Sequence, residues 1–205
     1  MKNDMGRGQK IPDDYQLAGR WLLNLKGWTL VVLLVIGAAI FGLTMVLGLT
    51  IRGLLRGYLE GPANLGEFFI PLVLGVFVAH IVLHEGVHGA LFRVFGGKPR
   101  FGVKVVGRFF PVAFYATSGA LVLRNQYLLV MLAPFLLLTP AFLLTGILAN
   151  TDLVITLAIL ATAMNASGSI GDLWMSWKIR QHGSQTLFRD TEEGFNWYVP
   201  LKPNL

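Results

Sequence analysis

FFIPLVLGVFVAHIVLHEGVH, Phe68 to His88, runs sixteen residues without an acidic or basic side chain other than His80 and then sets an acid between two imidazoles. Wound as a helix, the stretch is close to the roughly 20 residues that cross a bilayer. His84 and His88 then fall one turn apart on one face, with Glu85 at the edge of that face. An ionised carboxylate in a bilayer is costly and is functional by default, so the segment has to be read both as a membrane helix and as a site.

The rest of the chain agrees with the first half of that reading. Of 205 residues, 54% are hydrophobic and only 14% charged, and the mean hydropathy is +0.61, more apolar surface than one water-soluble core of this size hides. The expected fold class is an all-α integral membrane protein, a single membrane domain over residues 1–205 with about four transmembrane helices at 28–49, 68–95, 127–149 and 153–177. The leader, 1–26, is polar and of mixed charge. The first span lacks the small-residue cleavage pattern of a secretory signal and is expected to stay as a helix.

Cations set the expected orientation. Lys2, Arg7, Lys10, Arg20 and Lys26 lie in the leader, and Arg93, Lys98, Arg100, Lys104, Arg108 and Arg124 in the second connection. Lys178, Arg180, Arg189 and Lys202 lie in the tail, 178–205. Only Arg52 and Arg56 fall in the first connection, so fifteen of the seventeen basic residues share one side. The positive-inside rule assigns that side to the cytoplasm, with both termini there. The net charge of +6 follows from this asymmetry and suits anionic lipid headgroups. No basic helix or aromatic-interleaved patch points to nucleic acid. Without cysteine there are neither disulfides nor thiolate metal sites.

Between the second and third spans, KPRFGVKVVGRFFPVAFYATSGALVL (98–123) alternates in part, at Phe101, Val103 and Val105, and breaks at Gly107, Pro111 and Gly119. It reads as a small membrane-associated β-hairpin, the alternative being an amphipathic interfacial loop. A peptide could add to its edge as a further strand, held in extended form.

His-Glu-x-x-His on a helix is the pattern of a hydrolytic zinc site: His84 and His88 as metal ligands, Glu85 as the base that takes a proton from the attacking water. Such sites usually have a third protein ligand. Only Glu85 and Asp172 are acids well inside the spans. Counted from the outer ends of the second and fourth spans, His84 and Asp172 lie at about 24 Å and about 28 Å, nearly one depth. Asp172 is therefore the expected third ligand. His80 is the alternative on the same helix face, though three rings at i, i+4 and i+8 diverge along the axis; it fits better as a hydrogen-bonded histidine lining the cavity. His182, Asp190, Glu192 and Glu193 of the tail are further alternatives, in what reads as a solvated segment.

Asn165, Ser169 and Asp172 recur at i, i+4 and i+7. Gly168 and Gly171 beside them suit close approach of a helix or a peptide. Asn165 is the expected substrate-binding residue, its amide placed to hydrogen-bond a peptide or polarise its carbonyl. Pro134 and Pro140 in the third span each free a carbonyl and kink the axis, shaping a cavity or simply the packing. Trp174 and Trp177 read as interfacial anchors.

HEGVH, GALFRVFGGKPRFG, AFYATSG, LAPFLLLTP and NASGSIGDLW, in that order from about Gly75 to Ile179, resemble a family of small bacterial and archaeal membrane proteins described as "putative zincin peptidases". More distantly the chain is similar to the site-2 protease class of intramembrane metalloproteases, although SGSIGDL stands where that class has a proline-rich stretch and an Asp-Gly pair, and no PDZ-like domain is present. The resemblance implies Zn²⁺ on His84, His88 and Asp172, Glu85 as base, Asn165 against substrate, and hydrolysis of a membrane or membrane-proximal protein or peptide. Two other classes stay open: a metal-binding or transport protein using the ladder His80, His84, His88, and a non-catalytic adaptor that keeps the fold. The sequence leaves the substrate and the oligomeric state undefined.

Overall fold

The computed structural model describes residues 9–23, 27–57, 68–106, 110–192 and 194–201. In chain order these form β1 (Tyr15–Leu22), α1 (Trp28–Arg56), α2 (Phe69–Val94), β2 (Pro99–Val106), β3 (Phe110–Ser118), β4 (Leu121–Leu123), α3 (Arg124–Leu148), α4 (Asp152–Gly168), α5 (Ile170–Ile179), β5 (Leu187–Thr191) and β6 (Gly194–Pro200). Four helical stretches are long and apolar enough to cross a bilayer: Trp28–Arg56, Phe69–Val94, Arg124–Leu148 and Asp152–Ile179.

The first of these extends well past Leu49. Arg52 and Arg56, expected in a connection, belong to its last turns, where basic side chains reach helix-end carbonyls. Arg52 donates to the Gly57 carbonyl, and Arg56 to the Leu148 carbonyl and to Asn150 Oδ1. The fourth stretch breaks once, at Ser169, whose amide and hydroxyl both turn back to the Asn165 carbonyl. Asp172 thereby sits in the first turn of a new helix, where a negative charge meets the positive end of the dipole.

The described residues are mostly helical, as expected, but the expectation of an all-α chain with one small hairpin is corrected by six strands in two sheets among them. β2 and β3 pair antiparallel, Pro99 opposite Ser118 and Val103 opposite Phe114, as the expected hairpin. The end of 98–123 leaves it: β4 pairs with β5 in a four-stranded antiparallel sheet of order β1-β6-β5-β4. Leader and tail, expected as polar segments, supply three of its strands. The physical reason is alternation over runs too short to outweigh their charge: in LFRDT, Phe188 and Asp190 are buried while Leu187, Arg189 and Thr191 are partly exposed.

The chain divides into two compact units. One comprises 85–132 and 172–205 with the leader. Its core gathers Phe92 and Tyr127 with Val122, Ile179, Phe188 and Phe195, all essentially buried. Rings of Tyr127, Phe188 and Phe195 pack against one another at centroid separations of 5.4–5.9 Å. α2 ends in this unit on Gly96, φ 81°, with Gly97 N–H bonded to the Phe92 carbonyl and Gly96 N–H to that of Arg93, the paired bonds of a Schellman cap that turns the chain into β2.

The other unit, 27–84 and 133–171, is helical. Buried Ile159 of α4 is its reference point: a Cβ on Gly48 of α1 would lie 3.0 Å from Ile159 Cγ2, and one on Gly146 of α3 2.9 Å from Ile159 Cγ1. Small residues at helix contacts are how membrane helices approach closely. The outward surface of α1 is apolar, with Leu34, Val46 and Leu54 more than half exposed.

Candidate metal centre

His84 and His88 stand on consecutive turns of α2, both buried, and each has Nδ1 against an oxygen. His88 Nδ1 is 2.9 Å from the Val130 carbonyl of α3. A carbonyl only accepts, so Nδ1 carries the proton and Nε2 holds the lone pair. His88 Nε2 lies 3.4 Å from Asp172 Oδ2.

His84 Nδ1 is 3.0 Å from Asn165 Oδ1. The two hydrogens on Asn165 Nδ2 go to the Pro134 carbonyl at 3.0 Å and to Thr139 Oγ1 at 2.8 Å. Because the Pro134 carbonyl accepts only, the amide nitrogen must face it, the amide oxygen must face His84, and His84 too is protonated on Nδ1. Asn165 has no exposed surface. Its amide is committed to His84 and to two acceptors of α3, an arrangement that orients the His84 ring.

His84, His88 and Asp172 each offer a ligand atom, and these atoms all lie within 4.8 Å of one another. Two imidazoles fixed with Nε2 lone pairs and one carboxylate form a donor set that suits a catalytic zinc ion, which takes three protein ligands and keeps a position open. Glu85, partly buried on the same helix, is outside that set and adjacent to His84 in sequence.

The alternative ligand candidates among the described residues lie outside this group. His80 is outside the cluster; its ring meets that of His84 at 5.8 Å, and Gly168 lies beside it. His182 packs on Trp197 at 4.8 Å and Phe188 at 5.4 Å, and burial lowers its pKa. Glu192 lies beside the Tyr115 hydroxyl, whose pKa is raised by burial and by this carboxylate, and Glu193 lies outside the described residues. Trp174 packs edge-on to Trp21 at 5.8 Å, inside the strand-bearing unit, while Trp177 is exposed with the Lys178 ammonium 4.6 Å over its ring.

Asp190 is the residue that sequence reasoning undervalued. It is buried in β5, accepts a hydrogen bond from the Tyr127 hydroxyl, and has the Thr117 hydroxyl beside it. Burial pushes its carboxyl up to about 7; the two hydroxyls and the nearby His88 oppose that shift, and Asp172 adds to it. An acid on the same strand face as Phe188 was the signal available in the sequence.

Residues 77–187, just over half of the chain, match the family described as "putative zincin peptidase". Neither a curated protein nor a solved structure matches the chain.

Proposed function

The chain belongs to that family of putative zincin peptidases, and on this premise we propose that it is a zinc-dependent, membrane-embedded peptidase that hydrolyses a peptide bond in a membrane or membrane-proximal substrate. The observation that carries the reading is the convergence of His84, His88 and Asp172, with ligand atoms within 4.8 Å, beside Glu85 of the same HEGVH segment.

Zinc held by these three side chains supplies a Lewis acid for the scissile carbonyl and acidifies the attacking water. The chain's own residues do the rest. Val130 and Asn165 hold the two imidazoles with Nε2 outward. A carboxylate oxygen of Glu85 takes one proton from the water as its oxygen attacks the carbonyl carbon, then delivers that proton to the departing amide nitrogen as the C–N bond breaks, so that acid and amine products account for every atom. Burial of both histidines limits bulk water around this step.

Four apolar helices with outward-facing aliphatic side chains support residence in a bilayer, and the bias of basic residues toward the leader, the second connection and the tail of the sequence supports cytoplasmic termini. The test is elemental analysis of detergent-purified protein together with cleavage of a peptide library. About one zinc per chain, lost in His84→Ala and Asp172→Ala but kept in a cleavage-dead Glu85→Gln, is the expected pattern. Carefully handled wild type without stoichiometric metal would sink the reading.

A further inference from the structure

A proline inside a helix has no N–H to give to the carbonyl four residues before it. α3 contains two, Pro134 and Pro140, which leave the carbonyls of Val130 and Leu136 without their ordinary helical donors. The first of these is the carbonyl that His88 Nδ1 reaches at 2.9 Å. The same proline presents its own carbonyl to Asn165 Nδ2 at 3.0 Å, and Asn165 in turn holds His84 Nδ1 at 3.0 Å.

We infer that Pro134 is a positioning residue for the metal centre, freeing the Val130 carbonyl to orient His88 and, through its own carbonyl, orienting the Asn165 amide that fixes His84. The inference rests on the zinc reading above and deepens it: one backbone feature of α3 selects the Nδ1–H form of both ligand histidines. Partners of this kind raise ligand basicity and hold the ring plane, and their loss typically weakens metal binding by about 10–100-fold. Restoring an amide at position 134 puts a second donor on Val130 O and pulls that carbonyl back toward the helix axis, away from the imidazole. Pro134 is therefore part of the site rather than a feature of packing alone.

Pro134→Ala is the informative variant, because alanine favours helix and restores a backbone bond instead of deleting one. Pro140→Ala makes the same backbone change six residues on, at the Leu136 carbonyl, and serves as the control. Zinc affinity is measured on the metal-free, detergent-purified full chain by competition with a chromophoric chelator. The tautomers of ¹⁵N-labelled histidines are read by NMR on the same metal-free samples, with His88→Gln to assign the resonance. The expected result is zinc affinity about tenfold or more weaker in Pro134→Ala and within about twofold of wild type in Pro140→Ala. His88 should be Nδ1–H in wild type and in Pro140→Ala, and a mixture in Pro134→Ala. Wild-type affinity together with an unchanged His88 signature in Pro134→Ala overturns the inference. Should wild type bind no zinc, the peptidase reading fails by itself and the ring signature decides the positioning role: its change in Pro134→Ala upholds that role, and its constancy removes it.

Discussion

Glu85 and Asp172 are both acids within apolar helices, yet their surroundings differ. Asp172 lies against His88 Nε2 and belongs to the ligand cluster; Glu85 does not. Glu85→Gln should keep the metal and lose about 10²–10⁴ in kcat, the usual worth of a positioned general base, in a steady-state peptide cleavage assay. Asp172→Ala should lose the metal itself, seen as zinc released by dialysis that wild type retains. If instead Glu85→Gln loses zinc and Asp172→Ala keeps it, the two roles are exchanged. Asn165 illustrates what residue type alone conceals: an amide can serve many partners, and only the structure shows its three, His84 among them.

At the scale of elements, contact between α4 and its neighbours depends on missing side chains. Gly48 and Gly146 both face Ile159 at separations too short for an unadjusted Cβ. Gly48→Leu should destabilise the fold by about 1–3 kcal/mol through overpacking, measurable as a lower midpoint of unfolding in mixed micelles; an unchanged midpoint would mean that α1 is not held there. β5 carries a second, pH-dependent element. Asp190 titrates at about 7 in the folded chain against 3.8 unfolded, so the folded state binds the extra proton between those values. Its contribution to stability is complete below about pH 4 and is lost as pH rises to about 7. His88 and Asp172 are the charged groups that act on it, with Tyr127 as its hydrogen-bond donor. Asp190→Asn, which can still accept from Tyr127, should gain melting temperature relative to metal-free wild type between pH 4 and pH 7. A difference between the two proteins that stays flat across that range would refute the assignment.

For the whole molecule, the distribution of basic residues makes a topological statement that the cysteine-free chain is well suited to test. Ser184 precedes β5, Asn150 lies in the turn between α3 and α4, and both are exposed. Ser184→Cys and Asn150→Cys should react with a membrane-impermeant maleimide from opposite faces of the membrane, Asn150 from outside intact cells and Ser184 only after lysis. Labelling of both from one side would overturn the orientation.

The sequence by itself determined what depends on local pattern. Hydropathy over 20-residue windows marked the four helices long and apolar enough to cross a bilayer, helical spacing put His84 and His88 on one face, and similar depth along two helices pointed to Asp172, which the structure brings to them. Partial alternation was enough to indicate the β2–β3 hairpin. Tertiary structure alone decided what depends on partners distant in sequence: the pairing of β1, β4, β5 and β6, the burial of Asp190 between strand and helix side chains, the Asn165 bond to His84, and the use of the Val130 carbonyl by His88. Strand pairing and hydrogen bonding satisfy backbone and side-chain groups across separations of tens to hundreds of residues, and no window of sequence contains both partners. A proline signals that a carbonyl is available; only the packed fold supplies the imidazole that takes it.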